Sequence, residues 1–374
     1  MISITKPFDC VVRGAGIIGL SCALEMARRG ARVLLVDPVW PPRGASWAAA
    51  GMIAPAYEAA GAAGVHPELF DLCLESAKLW PEWSAQLSES TGVDAGYDGT
   101  PSIAVAVDRE QSERLQTICD VLRIRGLPWS VIENSALRNV AKIGVRLPTD
   151  TQVDNRKTLA ALSAACAAHA LITVKQELAS ASRDRQLVTA GWRSNDVLPT
   201  SLPISPISGQ MVSLERGAGD PEMPVRCGSI YIVPKSGRII VGATVEPEII
   251  RRVPEEQDIG SLIRHAARLF PEFAGRGIIE SWAGVRPGTP DHAPYLGRID
   301  EKTYVATGHH RNGILLAPLT ARIMADFILD GVSHPLLDAF SPARGVALPQ
   351  SESGRNSDTP VHPDSTGEYH ARNS

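Results

Sequence analysis

Residues 10–37 read Cys10-Val-Val-Arg-Gly-Ala-Gly-Ile-Ile-Gly-Leu-Ser-Cys-Ala-Leu-Glu-Met-Ala-Arg-Arg-Gly-Ala-Arg-Val-Leu-Leu-Val-Asp37. An apolar run leads into a turn with three glycines, and the stretch after the turn carries apolar residues at three- and four-residue spacing. A second apolar run follows Gly30 and ends at Asp37. Short apolar runs predict strands, and the spacing between them predicts a helix. The stretch therefore predicts a βαβ unit, around which the rest of the chain is organised.

The three glycines of the turn have separate physical roles in such a unit. Gly14 permits the tight turn, Gly16 lets the backbone approach a pyrophosphate, and Gly19 lets the helix lie close to the strand. The free N–H groups at the helix start, from Ile17 onward, and the positive end of the helix dipole would hold the phosphates. Asp37 stands where a carboxylate accepts a hydrogen bond from a ribose 2′-OH and repels a 2′-phosphate. The motif predicts a site for FAD or NAD rather than NADP; the plainer alternative is a βαβ unit with three convenient glycines.

Length and charge limit the classes of function. With 374 residues the chain can bury a large core and is long enough for two domains. Its formal net charge of −4 offers no basic surface for nucleic acid or an anionic membrane, so small molecules are the expected partners. Residues 1–9 lack the apolar core of a signal peptide, and no apolar run reaches the roughly 18 residues of a membrane span.

Six cysteines are scattered along the chain without the spacing of metal ligands, and the last of them is Cys227. Several stand in apolar stretches, where a free cysteine serves as a small core residue. The pattern predicts no metal site and fits a reducing cytoplasm. The sequence as a whole leaves open whether the protein forms a homo-oligomer.

A second informative stretch follows the βαβ unit. Residues 41–55 are rich in small side chains, which let backbone approach a flat and bulky group, although a loose loop or plain helix packing would look similar. The part Ala45-Ser-Trp-Ala-Ala-Ala-Gly-Met52 resembles the flavin-proximal segment of the glycine oxidase and D-amino-acid oxidase family. The resemblance favours FAD over NAD and implies cofactor contacts from Ala45, Ser46, Ala50, Gly51 and Met52.

Two late stretches extend the resemblance from about residue 9 to residue 340. They are Trp282-Ala-Gly-Val-Arg-Pro-Gly-Thr-Pro-Asp291 and Thr307-Gly-His-His-Arg-Asn-Gly-Ile-Leu-Leu-Ala-Pro318. The resemblance implies that the second stretch lies at the pyrimidine edge of the flavin, with cofactor contacts from Gly308, His309, His310, Arg311, Asn312, Gly313, Ile314 and Leu315. It also implies that Gly191 lies near the adenosine, although the preceding hairpin is shortened to residues 176–185.

The resemblance implies three substrate-binding side chains. Arg286 matches the family arginine that binds the substrate carboxylate, and a guanidinium grips a carboxylate by two parallel charged hydrogen bonds. Tyr231 matches the tyrosine whose hydroxyl joins that carboxylate, and Arg311 matches an arginine near substrate and flavin. Each has a plainer interpretation: a surface ion pair for Arg286, a half-buried strand residue for Tyr231, and a brace of the loop for Arg311.

The fold class implied is α/β and α+β. A Rossmann-like FAD-binding domain of the D-amino-acid oxidase type would carry an inserted antiparallel-sheet substrate domain. The FAD-binding domain would consist of residues 1–80, 146–203 and 283–340, and the substrate-binding domain of residues 81–145 and 204–282. Residues 341–374 are rich in Ser, Pro, Gly and charged residues without apolar periodicity, which predicts a disordered tail.

Spacing also predicts elements outside these motifs. The apolar residues of 67–90 indicate a helix that Pro81 would kink or restart. Asp108 and Gln111 resemble a capping box at the start of another helix.

In the hairpin predicted over residues 228–244, period-two alternation puts Tyr231 and Ile232 on opposite faces. A last helix would begin near Ile314, beside the flavin, and Pro318 would be tolerated because the N–H groups of a first turn lack partners within the helix.

The reaction implied by the resemblance is oxidative deamination of glycine. A hydride passes from the α-carbon of the deprotonated amino acid to flavin N5, the imine hydrolyses to glyoxylate and ammonia, and molecular oxygen reoxidises the flavin to give hydrogen peroxide. The imine would feed the thiazole ring of thiamine. No side chain is expected as acid or base, and His309 and His310 are expected to be loop and flavin contacts.

Two departures from the family pattern concern the substrate and the cofactor linkage. Val245 stands where a glycine oxidase carries methionine, so we expect a larger pocket that admits sarcosine or small D-amino acids. No cysteine follows Cys227, so the thioether of some sarcosine oxidases cannot form and FAD is expected to be non-covalent. Two alternatives stay open: a D-amino-acid dehydrogenase with an acceptor other than oxygen, and a non-catalytic FAD-binding protein.

Overall fold

The computed structural model describes residues 8–59, 66–132, 143–177 and 184–345. Most of the predicted tail, residues 346–374, and the middle of the shortened hairpin, residues 178–183, lie outside these ranges. The helices of the described part are α1 (Ile17–Arg28), α2 (Ala45–Ala48), α3 (Pro67–Thr91), α4 (Arg109–Ile124), α5 (Asn155–Ala168), α6 (Glu256–Ala267) and α7 (Gly313–Ala325). The strands are β1 (Cys10–Arg13), β2 (Val33–Val36), β3 (Met52–Ile53), β4 (Tyr97–Asp98), β5 (Ser102–Ala106), β6 (Ser130–Val131), β7 (Ile143–Leu147), β8 (Thr151–Val153), β9 (Ile172–Lys175), β10 (Gln186–Val188), β11 (Ser205–Glu215), β12 (Val225–Cys227), β13 (Ile230–Lys235), β14 (Arg238–Gly242), β15 (Glu246–Pro247), β16 (Ile278–Gly288), β17 (Tyr295–Arg298) and β18 (Thr303–Thr307).

The predicted βαβ unit is confirmed as β1, α1 and β2. The two strands are parallel neighbours, with Val11 opposite Leu34, in a six-stranded sheet of order β17-β18-β10-β1-β2-β9. Neighbours in this sheet run parallel except β17, which is antiparallel to β18. Strands covered on both faces read as continuous apolar runs, which explains the sequence Val-Leu-Leu-Val of β2.

Helix α1 lies in the largest hydrophobic core of the described residues. It packs against α7 and α5, and α3 packs against the other side of α7. Leu20, Cys22 and Met26 of α1 are fully buried. A helix that is covered on nearly all sides has no need of a polar face, which explains why α1 carries small and apolar residues around most of its circumference.

The second sheet is mostly antiparallel. Its order is β15-β11-β14-β13-β12-β5-β7-β6, with β16 also paired to β11, and only β12 and β5 run parallel to each other. The alternation predicted for the hairpin β13–β14 is confirmed. Ile232 packs in the cluster under α6, whereas Tyr231 and Val233 pack in a cluster on the other face, with Ala48 of α2 and with Met211.

Two local predictions for helices have different outcomes. The N-cap half of the capping box is confirmed, since Asp108 Oδ1 accepts a hydrogen bond from Gln111 N at 2.9 Å. The return bond differs, because Gln111 Oε1 accepts from Val107 N, at 3.2 Å, and not from the N–H of Asp108. Helix α3, in contrast, runs from Pro67 to Thr91 through Pro81 and does not restart there. None of the helices in the described ranges has the length and apolar character needed to cross a membrane.

The position of Pro318 differs from the prediction. Helix α7 begins at Gly313, so Pro318 is the sixth residue and lies beyond the first turn. The buried surroundings accommodate it: Ser76 Oγ and Trp80 Nε1 of α3 both donate to the carbonyl oxygen of Leu315, at 2.7 and 2.9 Å. The carbonyl that loses its helical donor to Pro318 is that of Ile314, four residues earlier, and these two bonds hold α7 to α3 at the next residue.

The division into two domains stays a prediction. Strand β16 continues through the expected boundary between residues 282 and 283. A small third sheet, β3-β8-β4, links the small-residue segment to the sequence around residue 152. Lys235 of β13 reaches this small sheet, because its Nζ donates to Gln152 Oε1 at 3.0 Å and to the Val153 carbonyl at 2.7 Å.

Candidate cofactor and substrate site

A cavity of about 1220 Å³ opens at the carboxyl ends of the strands in the first sheet. It is lined by the residue that follows or ends each of the five parallel strands: Gly14 after β1, Asp37 after β2, Gln176 after β9, Thr189 after β10 and Thr307 at the end of β18. Ligands of open α/β sheets bind at this edge, where the backbone leaves the strands on both sides of the first strand. The cavity continues from there to the second sheet.

The three glycines of the first turn have different surroundings, and Gly14 and Gly16 line the cavity whereas Gly19 does not. Gly14 has φ +112°, and a Cβ atom there would lie 2.6 Å from the Thr189 carbonyl oxygen. A Cβ atom at Gly19 would collide with the Gly14 carbonyl oxygen, so Gly19 brings α1 close to β1 and does not line the cavity. A Cβ atom at Gly16 would meet only Ser46 Oγ, at 3.3 Å. Gly16 therefore leaves space for a ligand.

The start of α1 fits an anionic group. No acidic side chain lies in the first turn, and Ile17 N donates to Ser46 Oγ at 3.0 Å, a neutral acceptor beside the cavity. The Asp37 carboxylate holds the turn, since Oδ2 accepts from Ala15 N at 2.7 Å and Oδ1 from Val39 N at 2.8 Å. An open helix start facing a cavity binds phosphate, so these residues fit the pyrophosphate of a dinucleotide.

The small residues of 45–51 let this segment approach β16 closely. A Cβ atom at Gly284 of β16 would collide with Ala48 Cβ, so the contact between β16 and α2 requires a glycine. The segment is fixed from outside the cavity, since Asn155 Nδ2 donates to the Ser46 carbonyl at 2.8 Å and Trp282 Nε1 to the Ala48 carbonyl at 2.8 Å. The backbone beside the cavity is therefore held by bonds on its far side.

The loop before α7 brings two histidines to the cavity. Burial lowers the pKa of His309 to about 3, and its Nε2 lies 3.3 Å from Thr320 Oγ1. Burial also lowers the pKa of His310 to about 3, with smaller effects of the neighbouring His292, Arg311 and Arg286. Both rings are therefore neutral at pH 7. The helix start that follows them adds its positive dipole end to the cavity wall.

Arg286 and Tyr231 lie at the end of the cavity that the second sheet forms. Arg286 Nη1 donates to the carbonyl groups of Ser208 and Thr244, at 3.2 and 3.4 Å. Burial lowers the pKa of Arg286, and the hydroxyl of Tyr231 opposes this effect. Neither of these contacts involves a carboxylate, so the guanidinium is available to bind an anion.

Two glycines make room for these side chains. A Cβ atom at Gly209 of β11 would collide with both terminal nitrogens of Arg286, which lies on the paired strand β16 opposite Ile207. A Cβ atom at Gly242 of β14 would lie 2.7 Å from the Tyr231 ring. The clash at Gly242 is with the other strand of its own hairpin, whereas the clash at Gly209 is with β16, far away in the chain, and the sequence shows both glycines only as strand residues.

Sequence reasoning also missed a buried charge cluster beside Tyr231. Arg226 is 2% exposed, and its guanidinium carbon lies 4.3 Å from the centroid of the Tyr57 ring. Glu58 Oε1 forms ion pairs with Arg226 Nη2 and with Arg311 Nη2, the latter at 3.2 Å. Burial, followed by the charge of Arg311, lowers the pKa of Arg226 to about 9. The available signal was a single charge in each of two otherwise apolar stretches, Val225-Arg-Cys227 and Ala54-Pro-Ala-Tyr-Glu-Ala59.

The structure brings most of the predicted site residues together around one cavity. Gly19, Gly308 and Leu315 do not line it, because Gly19 and Leu315 pack inside the core and a Cβ atom at Gly308 would lie 2.5 Å from Thr289 Cγ2. Val245 does not line it either, and 51% of this residue is exposed. The expectation that a valine there enlarges the pocket was therefore wrong. The other predicted residues all line the cavity: Gly14, Gly16, Ile17, Asp37, Ala45, Ser46, Ala50, Gly51, Met52, Gly191, Tyr231, Arg286, His309, His310, Arg311, Asn312, Gly313 and Ile314.

The fold and this crevice together define a dinucleotide-binding protein of the Rossmann type. The family model described as FAD dependent oxidoreductase, DAO, matches residues 9–327. The chain belongs to this family of FAD-dependent oxidoreductases.

Relatives of this chain fall into two groups. The bifunctional protein ThiO/ThiG of Trichormus variabilis is 34% identical over 364 residues, which cover 90% of this chain and 55% of that protein. The glycine oxidase of Geobacillus kaustophilus is 31% identical over 357 residues, which cover 87% of this chain and 93% of that protein. The crystal structure of glycine oxidase from Geobacillus kaustophilus superposes with a TM-score of 0.81, at 29% identity, and covers 92% of this chain and 100% of that chain. The chain thus spans about half the length of the bifunctional relative and most of the glycine oxidase.

Proposed function

We propose that this protein is a glycine oxidase that uses non-covalently bound FAD. Glycine would be converted to its imine, which hydrolyses to glyoxylate and ammonia, while oxygen is reduced to hydrogen peroxide. The observation that carries the proposal is the position of Arg286 and Tyr231, which line the same cavity as the dinucleotide turn. Relatives named glycine oxidase, 27–31% identical over 87% or more of this chain, support the choice of substrate.

Arg286 is proposed to bind the carboxylate of the substrate. A guanidinium can form two parallel hydrogen bonds to a carboxylate, which fixes the position and the orientation of the α-carbon. Tyr231 Oη would add a third bond to the same group. Orientation of the α-carbon toward the cofactor is the main contribution that a protein makes to this kind of reaction.

FAD, when bound, accepts the hydride of the substrate and passes two electrons on to oxygen. The residues around it supply charge and position. The start of α7, with Asn312 and Gly313 at the cavity wall, would place a positive dipole end where the cofactor gains negative charge. The positive charges of Arg286 and Arg311 would favour the neutral form of the substrate amine, whose lone pair is needed for hydride loss.

The product imine is proposed to supply the thiazole ring of thiamine. Support comes from the relatives named bifunctional protein ThiO/ThiG, of which this chain matches about half the length. A cytoplasmic location is part of the same proposal, because all six cysteines are free thiols. Non-covalent binding of FAD is supported by the position of Cys227, the last cysteine, which does not line the cavity.

The test is anaerobic reduction of the holoenzyme by glycine, followed by its visible spectrum. We expect the flavin band to bleach in the wild type. We expect Arg286→Ala to retain the flavin spectrum. Its second-order rate constant for flavin reduction by glycine should fall at least about 100-fold, because the variant loses two charged hydrogen bonds to the substrate. Arg238→Ala is the control, because Arg238 lies on the same sheet, pairs with Glu280 at 2.7 Å and does not line the cavity.

The outcomes separate the alternatives. An Arg286→Ala variant that is reduced as fast as the wild type would overturn the substrate assignment. Reduction by D-alanine, with slow reoxidation by oxygen and fast reoxidation by an artificial acceptor, would indicate a D-amino-acid dehydrogenase. A flavin band that glycine, sarcosine, D-alanine and D-proline all leave unchanged would indicate a non-catalytic FAD-binding protein.

A further inference from the structure

Positive charge exceeds negative charge around Tyr231. The guanidinium groups of Arg226, Arg286 and Arg311 all belong to the wall of this end of the cavity, and Glu58 is the carboxylate that lies among them. Arg226 lies 5.7 Å from the centroid of the Tyr231 ring, and the charge of Arg311 acts on both other arginines. Glu246, whose charge also acts on Arg286, is paired with Arg251 at 2.6 Å and adds no net charge. Three positive charges and the negative charge of Glu58 therefore leave a net charge of about +2 before substrate binds.

Glu58 does not satisfy the arginines around it. Arg226 and Arg311 both form their ion pairs with one oxygen of Glu58, Oε1. Arg226 Nε is buried and has no hydrogen-bond acceptor among the described residues. The remaining neighbours of the Arg226 guanidinium are weak ones, the Met52 sulfur at 3.7 Å and the face of the Tyr57 ring. A buried donor without an acceptor is costly, and the side chain to which this one belongs lines the cavity that a ligand would enter.

A monocarboxylate substrate neutralises only part of this charge. With glycine bound through Arg286, one positive charge at Arg226 and Arg311 would stay uncompensated beside a buried guanidinium. A second anionic group on the substrate would restore neutrality and accept the free hydrogen bonds.

We propose that this site takes small amino acids with a second carboxylate, which binds between Arg226 and Arg311 while the first binds Arg286. This rests on the proposed oxidase function and extends its substrate class. Iminodiacetate carries the second carboxylate on the nitrogen substituent, and D-aspartate carries it on the side chain. Each substrate loses a hydride and a proton from its CH–NH unit, and water adds to the resulting imine.

The two reactions balance as follows. Iminodiacetate, water and oxygen give glyoxylate, glycine and hydrogen peroxide, with cleavage of one C–N bond. D-Aspartate, water and oxygen give oxaloacetate, ammonia and hydrogen peroxide. In both, the carbon next to nitrogen is oxidised by two electrons, which pass through the cofactor to oxygen.

The kinetic test compares substrates that differ only in the second carboxylate. We expect kcat/KM of the wild type to be about tenfold or more higher for iminodiacetate than for sarcosine, or for D-aspartate than for D-alanine, since a charged hydrogen bond contributes about 1.5–3 kcal/mol. The pair that shows the preference identifies where the second carboxylate sits. We expect Arg226→Met to lower that ratio about tenfold and Arg238→Met to leave it unchanged.

A binding test does not depend on turnover. Malonate and acetate, which cannot be oxidised, are titrated into the holoenzyme, and the change in the flavin spectrum gives the two Kd values. We expect malonate to bind about tenfold or more tightly than acetate in the wild type, and Arg226→Met to remove most of this difference. If Arg226→Met does not retain FAD, Arg226→Lys replaces it and is expected to lower the ratio less, because the charge is kept and the planar fork is lost.

The results distinguish this proposal from the one on which it rests. Equal Kd values for malonate and acetate in the wild type would overturn the second-carboxylate site, even if glycine reduces the flavin. An Arg226-dependent preference for malonate, with no reduction by any amino acid, would keep the site and overturn the oxidase function. If Arg226→Met weakens the binding of mono- and dicarboxylates by the same factor, Arg226 only supports Glu58 and the proposal is overturned.

Discussion

Gly209 contributes to the substrate site through the side chain that it lacks. Because a Cβ atom there would collide with the Arg286 guanidinium, Gly209→Ala should push the tip of that side chain away from its place. The colliding atoms are the end of a flexible side chain, so the fold should adapt at small cost. We expect KM for glycine to rise roughly 10- to 100-fold, because one or both charged hydrogen bonds to the carboxylate are lost.

The measurement for Gly209→Ala is steady-state oxidation of glycine, together with the flavin content of the purified protein. Gly275→Ala is the matched control, since a Cβ atom at Gly275 meets nothing within 4 Å. A Gly209→Ala variant with unchanged KM would mean that Arg286 does not hold the carboxylate from its present position.

Gly16 and Gly19 stand three residues apart, and their substitution should have different effects. Gly19→Ala places a methyl group against the Gly14 carbonyl, and overpacking of this kind costs about 1–3 kcal/mol of stability. Gly16→Ala meets only Ser46 Oγ within the protein, so we expect little change in the stability of the apoprotein but about tenfold weaker FAD binding. Thermal unfolding of the apoproteins and FAD titration measure the two quantities. Equal losses of apoprotein stability in both variants would contradict this assignment.

The residues that could be predicted from sequence are those whose role is set by their near neighbours. Gly14, Gly16 and Gly19 act within one turn and its helix, so their spacing suffices. Gly209 and Arg226, in contrast, act through contacts with Arg286 and Glu58, which stand 77 and 168 positions away in the chain. No periodicity or local spacing carries such information, and only the three-dimensional structure reveals it.

At the scale of elements, periodicity predicted the two faces of a strand well, whereas the effect of a proline on a helix was predicted less well. The alternation of the β13–β14 hairpin placed Tyr231 correctly opposite Ile232, because the two faces of a sheet are fixed by a period of two. The behaviour of Pro81 and Pro318 was predicted less well, since both lie inside continuous helices. Tertiary packing decided these cases: α3 and α7 bury against each other and keep their helical path through the prolines.

Strand β13 carries a lysine whose burial should make stability depend on pH. Burial lowers the pKa of Lys235 to about 7 from the ordinary value of 10.5. Between these values the unfolded chain binds a proton that the folded chain does not, so the free energy of unfolding rises with pH. We expect this group to add up to about 4 kcal/mol between pH 7 and pH 10.

Urea unfolding of the apoprotein at several pH values from 7 to 10 measures the effect. Lys235→Met should lose the rise that the wild type shows, whereas Lys302→Met, at an exposed position, should keep it. If the free energy of unfolding changes by the same amount between pH 7 and pH 10 in the wild type and in Lys235→Met, Lys235 stays charged in the folded protein.

For the whole molecule, the cavity is the place where the two large sheets meet. Gly14 and Asp37 belong to the first sheet, whereas Tyr231 and Arg286 belong to the second, and all four line the cavity. A ligand that spans the cavity should therefore stabilise both sheets, and a ligand that reaches only the β1–β2 end should stabilise one. FAD at 100 times its Kd adds about 2.7 kcal/mol to the free energy of unfolding.

Hydrogen exchange with FAD or with ADP tests this coupling strand by strand. We expect FAD to slow amide exchange in β1–β2 and in β13–β14, by up to about 100-fold where exchange requires the opening that FAD opposes. ADP, which lacks the flavin, should slow exchange in β1–β2 alone, and β6, at the far edge of the second sheet, serves as the internal reference. Protection of β13–β14 by ADP as strong as by FAD would mean that the sheets are coupled through the protein core. Protection of β1–β2 alone by FAD would mean that the flavin does not reach Tyr231, and the substrate could not then meet the cofactor at Arg286.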